Sequence, residues 1–160
     1  MLKKTIFFCL ILFNYQIVCA QNAKIIKFDE LQNLLDTKSD SIYVINFWAT
    51  WCAPCVKELP AFENLIVKYS SKKLRIVLVS LDFATQFEKK VLPFLHKKQI
   101  KSEVWLLNEL DYDTWIGKVD QNWQGNIPFT LIFNNKQKTR LSIDKAVDEK
   151  ELEKIILPLL

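Results

Sequence analysis

Residues 51–55, which read Trp-Cys-Ala-Pro-Cys, constrain the fold more than any other stretch of the chain. They separate two apolar segments of different periodicity. Residues 42–48 are mostly β-branched or aromatic, which is typical of a central strand buried on both faces. Across residues 56–69, apolar side chains recur at helical spacing. The sequence therefore predicts a buried strand that leads through two cysteines into a helix.

The two cysteines, Cys52 and Cys55, are expected to lie on one face of the first helical turn, where they can reach each other. The free N–H groups of a helix N-terminus lower the pKa of a cysteine there, so a thiolate forms at neutral pH. When Cys52 attacks a partner disulfide, Cys55 can resolve the mixed disulfide, and two electrons pass without a cofactor. The pattern predicts thiol-disulfide exchange.

The first twenty residues are typical of a signal peptide, because two lysines precede an apolar run over 6–18 and small residues end it at Ala20. We expect cleavage after Ala20, export to the periplasm, and one domain over 21–160. The apolar run is short for a membrane span, so a retained anchor is the less favoured alternative. A lipoprotein attached at Cys19 is also less favoured, because the residue before it is not small.

Cleavage at this site would leave Cys52 and Cys55 as the only cysteines. A zinc site needs further ligands, and the remaining chain offers a single histidine, His96. The pair also closes too short a loop to constrain the unfolded chain much, so a structural role is disfavoured. We therefore predict a redox pair, with neither metal nor other cofactor.

The charge of the chain argues against two classes of partner. The predicted leader contains two of the 22 basic residues and none of the 18 acidic ones, so the mature net charge is near +2. This charge is too small and too evenly spread to indicate nucleic acid or an anionic membrane surface.

The rest of the chain is predicted to alternate strands and helices. The further predicted strands are 24–27, 74–81, 103–107, 127–133 and 138–143. The further predicted helices are 29–35, 87–98, 111–119 and one that begins at Asp148. Asp29 is expected to cap the first of these, and Pro60 to kink the helix over 56–69. The turn over 134–136 suits positive backbone dihedrals and predicts a hairpin.

These features together resemble the thioredoxin fold over residues 24–160. Residues 44–65, VINFWATWCAPCVKELPAFENL, are similar to the exported TlpA/ResA-like thiol-disulfide oxidoreductases, which include reductases that serve cytochrome c maturation. The leader, the long segment 83–127, and Asn46 in place of a buried aspartate favour that branch. The resemblance implies an α/β fold of three layers. A mixed central sheet is flanked by helices, and a helix and a strand are inserted before the cis-proline strand.

The resemblance also implies roles for individual residues. Cys52 matches the attacking cysteine and Cys55 the resolving one. Pro128 matches a cis-proline that faces the disulfide and turns the backbone of Ile127 outward, where it can pair with a substrate strand. Glu58 matches the glutamate of a Cys-x-x-Cys-x-x-Glu pattern, and we expect it to exchange protons with the thiols.

Aromatic residues complete the predicted site and core. Trp51 is expected to shield the thiolate and to contact substrate. Phe129 stands where the family often has threonine, and we expect this difference to reshape the groove. Four other tryptophans are assigned to the core or to the groove wall: Trp48, Trp105, Trp115 and Trp123.

The direction of electron flow is predicted from Ala53 and Pro54. A strong oxidant often has a histidine between its cysteines, and this pair has none, which favours a reductase of protein disulfides fed by a membrane-embedded donor. We expect a monomer. A disulfide oxidase or isomerase and a non-catalytic, chaperone-like binding module remain as alternatives. A peroxidase is disfavoured because Ala49 stands where related peroxidatic sites have threonine.

Overall fold

A computed structural model describes residues 23–160, so the predicted signal peptide lies outside the described residues. The strands are β1 (Ala23–Ile26), β2 (Ile42–Trp48), β3 (Leu74–Ser80), β4 (Glu103–Leu107), β5 (Phe129–Asn134) and β6 (Thr139–Ile143). The helices are α1 (Phe28–Leu35), α2 (Ala53–Lys68), α3 (Leu92–Lys98), α4 (Ile116–Val119) and α5 (Glu149–Ile156).

The six strands form one sheet in the order β1-β4-β3-β2-β5-β6. The first four strands in this order are mutually parallel, whereas β5 and β6 run antiparallel to their neighbours. Every residue of β2 is buried, as its continuous apolar sequence predicts. Along the chain, helix α3 and strand β4 lie between β3 and β5, the strand that follows the cis-proline. The predicted mixed sheet with an inserted helix and strand is confirmed.

Helices cover both faces of the sheet and create two apolar cores. One core packs α2, α3 and α5 against the sheet and contains the two cysteines. The other packs α1 and the α4 region against the opposite face. The four tryptophans assigned to core or groove wall are all buried: Trp48, Trp105, Trp115 and Trp123. The three-layer thioredoxin-like architecture is therefore confirmed.

The two helices predicted between β3 and β5 differ in outcome. The segment 87–98 is helical, although its first turn, Phe87–Val91, is of π type and only then continues as α3. The predicted helix over 111–119 is wrong as a single element. It consists of a 3-10 turn, Tyr112–Thr114, and the short α4, separated by Trp115 with φ of −127°. The fully buried indole of Trp115 packs in the core, and this packing overrides helical continuity.

Several local predictions need correction. Asp29 does not cap α1: Lys27 occupies the N-cap position, and Asp29 lies in the first turn, where its charge favours the helix N-terminus. Strand β5 begins at Phe129, two residues later than predicted, because a cis peptide bond joins Ile127 to Pro128 just before it. Pro60 lies inside α2 and does not end it, and the predicted kink at this residue stays a prediction.

The hairpin between β5 and β6 is present, but its asparagines act differently from the prediction. The positive φ belongs to Lys138, at 56°. Asn134 instead accepts a hydrogen bond from the Gln137 N–H at 3.0 Å. The side chain of Asn135 donates to the carbonyl groups of Leu35 and Thr37. The asparagines therefore stabilise the turn and tie it to the end of α1 through their side chains.

Candidate functional site

The Cys52–Cys55 pair lies where the carboxyl end of β2 passes into α2. Cys52 is the N-cap residue of α2, with extended backbone dihedrals, and its sulfur accepts a hydrogen bond from the Cys55 N–H at 3.3 Å. The two cysteines form a disulfide with a Cα–Cα distance of 5.3 Å. Cys55 is completely buried, whereas Cys52 retains 6% exposure. An incoming partner therefore reaches Cys52 first.

The loop before β5 faces the disulfide. Cys52 Sγ lies 3.9 Å from the carbonyl oxygen of Ile127, and the Ile127–Pro128 bond is cis. Ile127 is partly exposed, but Pro128 is buried. Trp51, on the other side of Cys52 in sequence, is 61% exposed. The surface around Cys52 thus offers the side chains of Trp51 and Ile127, with Pro128 beneath.

Glu58 lies one helical turn beyond Cys55 and is a buried residue, with 4% exposure. Its Oε1 accepts a hydrogen bond from Asn46 Nδ2 at 2.7 Å. Its Oε2 accepts one from the Val147 N–H at 2.8 Å. Glu58 therefore links α2 to β2 and to the loop that precedes α5.

Burial is the main influence on the charge of Glu58. Removal from water raises the pKa of this carboxyl group, while the hydrogen bonds from Val147 and Asn46 lower it and offset only part of the effect. The net result is a pKa above the ordinary value. Such a group takes up and releases protons closer to neutral pH than a surface glutamate does.

A cavity of about 550 Å³ adjoins Glu58 between the first turns of α2 and the loop that leads into α5. Its wall includes Pro54, Lys57 and Glu58 from α2 and Val147 from the loop. The cavity opens to solvent, so it connects the almost buried carboxyl group with bulk water.

Asp82, which follows β3, holds the loop that carries Cys52, and sequence analysis assigned it no role. Its carboxylate accepts hydrogen bonds from the Thr50 N–H at 2.8 Å, from the Thr50 hydroxyl and from the Ser80 hydroxyl at 2.9 Å. Lys90 Nζ lies 3.9 Å from Asp82 Oδ1. The signal in the sequence was a polar Ser80 and Asp82 at the carboxyl end of a buried parallel strand, beside the end of β2.

Among residues 23–160, no three His, Cys, Asp or Glu side chains lie close enough together to hold a metal ion. Over the same part of the chain, no helix combines the length and apolarity that a membrane span requires.

Known sequences share stretches of identity with this chain. A stretch of 65 residues is 43% identical to the thioredoxin-like protein YneN of Bacillus subtilis, and covers 41% of this chain and 37% of that protein. Another of 39 residues is 51% identical to the thiol-disulfide oxidoreductase ResA of Oceanobacillus iheyensis, and covers 24% and 20%. The matches thus span much less than two thirds of these relatives.

Solved structures share the fold. A thioredoxin-related protein from Neisseria meningitidis serogroup B superposes with a TM-score of 0.66 at 25% identity, over 79% of this chain and 89% of that one. StoA from Bacillus subtilis has a TM-score of 0.58 at 22% identity, over 75% and 84%. The AhpC/TSA family model matches residues 18–142, which is most of the sequence. The chain belongs to the AhpC/TSA family, and its fold is thioredoxin-like.

Proposed function

We propose that this protein is an exported thiol-disulfide oxidoreductase that reduces disulfides in other exported proteins. The observation that carries the activity is the position of Cys52 at the start of α2, where the Cys55 N–H points at its sulfur from 3.3 Å. A hydrogen bond of this kind stabilises a thiolate more than a thiol. The relatives named as thioredoxin-like protein and thiol-disulfide oxidoreductase support the same chemistry.

The reaction begins from the reduced pair. The Cys52 thiolate attacks one sulfur of a partner disulfide, forms a mixed disulfide, and releases the other partner sulfur as a thiolate, which takes a proton. Cys55 then loses its proton and attacks Cys52 Sγ. The mixed disulfide breaks, the second partner thiolate leaves and is protonated, and the Cys52–Cys55 disulfide forms. Two electrons have passed from the dithiol to the partner, whose two new thiols take their protons from the solvent.

We assign Glu58 as the group that accepts the proton of Cys55. It lies one turn further along the same helix, and burial raises its pKa, so it holds a proton at a higher pH than a surface glutamate does. The adjoining cavity gives the carboxyl group contact with solvent, to which the proton can then pass.

Partner binding is assigned to the surface around Cys52. The exposed indole of Trp51 and the partly exposed Ile127 provide apolar contacts. The Ile127 carbonyl, close to Cys52 Sγ, is available for a backbone hydrogen bond from an extended partner segment. Pro128 supports this loop from below, because its side chain is buried.

The proposal also covers the export of the protein and the direction of electron flow. The leader-like residues 1–20 support export to the periplasm, where a reductase needs electrons from a membrane-embedded donor. The absence of histidine between the cysteines supports a reductase, and cytochrome c maturation proteins are one class of substrate. We expect a monomer that uses only its dithiol. The second candidate is a disulfide oxidase or isomerase.

The activity is tested with cysteine variants and a disulfide-bonded peptide, with dithiothreitol as the electron source. The protein should accelerate reduction, Cys52→Ser should abolish this, and Cys55→Ser should accumulate a mixed disulfide with the peptide. If a Cys52→Ser, Cys55→Ser double variant keeps the biological role of the protein without reducing disulfides, the proposal is contradicted. That result would indicate a chaperone-like binding module.

The direction is tested by the reduction potential of the Cys52–Cys55 couple, measured by equilibration with glutathione or dithiothreitol and thiol trapping. A value near or below about −270 mV, that of thioredoxin, supports a reductase. A value well above the glutathione range would assign the protein to the oxidases or isomerases.

A further inference from the structure

Asn46 has an unusual hydrogen-bond arrangement at the centre of the sheet. Its side chain is completely buried on β2. Nδ2 donates to Glu58 Oε1 at 2.7 Å and to Thr130 Oγ1 at 3.0 Å. Oδ1, by contrast, has no hydrogen-bond partner anywhere in residues 23–160. Both donor hydrogens are used while a buried acceptor is left unpaired, which is costly in a protein interior.

This arrangement fits only one charge state of Glu58. A carboxylate accepts hydrogen bonds at both oxygens, and here Asn46 and Val147 supply one donor to each. A proton on Oε1 would instead place a hydroxyl donor opposite the Nδ2 donor of Asn46. That contact is unfavourable because neither group can accept through its hydrogen.

A half turn of the Asn46 amide resolves the conflict. It exchanges the positions of Nδ2 and Oδ1, which are similar in size, so the surrounding packing is preserved. Oδ1 then accepts from the protonated carboxyl group of Glu58. It also accepts from the Thr130 hydroxyl, whose hydrogen is free to rotate. The amide therefore offers a donor to one charge state and an acceptor to the other.

We propose that Asn46 is the positioning residue of Glu58: its amide donates to the carboxylate and turns to accept from the carboxyl group when Glu58 gains a proton. This inference rests on the proposed function, in which Glu58 takes the Cys55 proton. An aspartate at position 46 would lack the donor, and a leucine would lack both groups. Asn46 thus keeps Glu58 in place while its charge changes.

The other charged groups that face Glu58 come from the cavity. Lys57 belongs to α2, and Asp148, Glu149 and Glu151 belong to the loop and helix on the opposite wall. The neighbours from β2 and β5, Asn46 and Thr130, carry no charge. In the oxidised protein the cysteines do not titrate, so a titration there isolates Glu58 from the redox pair.

The test is a pH titration of the oxidised wild-type protein by NMR, which follows the Glu58 side-chain carboxyl carbon and the Asn46 side-chain N–H signals. We expect both sets of signals to move with one midpoint, because the amide changes partners when the carboxyl group gains its proton. If Glu58 titrates while the Asn46 signals stay unchanged, the inference is wrong. This outcome is independent of disulfide reduction, so it leaves the proposed function standing.

Variants provide a second readout. Asn46→Leu removes the donor to the carboxylate, so the Glu58 midpoint and the pH profile of peptide reduction should both shift upward. Thr130→Val is the matched control, because it removes the other partner of Nδ2 and preserves the bond to Glu58. An unchanged midpoint in Asn46→Leu would contradict the inference. The Glu149→Gln and Glu151→Gln variants remove negative charges from the cavity wall and should leave the joint movement of the Glu58 and Asn46 signals intact. Loss of this joint movement in either variant would contradict the inference.

Discussion

At the scale of single residues, Glu58 shows how burial couples charge to stability. At low pH the carboxyl group is neutral in both the folded and the unfolded chain. As pH rises past the ordinary pKa of 4.5, the unfolded chain loses this proton, while the folded protein retains it up to a higher pH. The unfolded state is therefore favoured progressively until pH exceeds the raised, folded-state pKa.

The raised pKa of Glu58 predicts how the stability of the wild-type protein changes with pH. In the oxidised protein, the free energy of unfolding of wild type should fall relative to Glu58→Gln as pH rises from about 4.5 to the raised, folded-state pKa of Glu58, because only wild type must bury a charge. Urea unfolding at a series of pH values measures this difference. The exposed Glu88→Gln serves as the control and should follow wild type. A constant difference between Glu58→Gln and wild type would contradict the prediction.

The second prediction concerns Trp51, which is 61% exposed beside Cys52. Trp51→Ala should raise the KM for a disulfide-bonded peptide while the free energy of unfolding changes by less than about 0.5 kcal/mol, because an exposed side chain contributes little to folding. Val67→Ala is the control, since Val67 is 62% exposed near the opposite end of α2 and should leave KM unaltered. Equal KM values for all three proteins would remove Trp51 from the binding surface.

At the scale of elements, Asp82 joins the end of β3 to the loop between β2 and α2. Asp82→Ala should lower the free energy of unfolding by about 3 kcal/mol, because the Thr50 N–H and the Ser80 hydroxyl lose their buried partner. The rate of peptide reduction should fall as well, since the loop carries Cys52. Urea unfolding and single-turnover kinetics measure the two effects, with the exposed Asp113→Ala as control. Wild-type values of both would show that the loop is held by other contacts.

Elements defined by local periodicity were predictable from sequence. The bounds of β2 and β4 agree with the prediction, because each is a short apolar run with clear ends. The interruption of the helix at Trp115 was not predictable, because it depends on the tertiary packing of a buried indole. The start of β5 depends on the cis bond before Phe129, and the turn after it depends on contacts with the distant end of α1.

The functional site likewise combines local contacts, which the sequence predicts, with long-range contacts, which it does not. Cys52 and Cys55 are three residues apart at the start of a helix, so their proximity could be predicted from the sequence. The contact between Glu58 and Val147 spans 89 positions, and that between Thr50 and Asp82 spans 32. No local pattern encodes such pairs. Local spacing alone does not distinguish Glu58 from a surface glutamate of α2, whereas the structure buries it.

At the scale of the whole molecule, the direction of electron flow is linked to stability. If the pair is a reductant, the folded protein holds the disulfide more favourably than the unfolded chain does, and the oxidised form should be the more stable one. Urea unfolding with and without dithiothreitol measures the difference, and Cys52→Ser, Cys55→Ser controls for effects of the reagent. A reduced form more stable than the oxidised form would indicate an oxidase, since stabilisation of the dithiol makes a pair oxidising.

The sheet order has a consequence for how the chain acquires its fold during synthesis. Strand β1 is the first described element, yet its only partner strand in the sheet is β4. Two strands and three helices, from α1 to α3, separate them along the chain. As the polypeptide emerges with its N-terminal end first, β1 waits for β4, whereas β2 can pair with β3 after only α2 has intervened. The earliest strand is thus enclosed late, and during that interval its unpaired backbone is open to a holding chaperone or a protease.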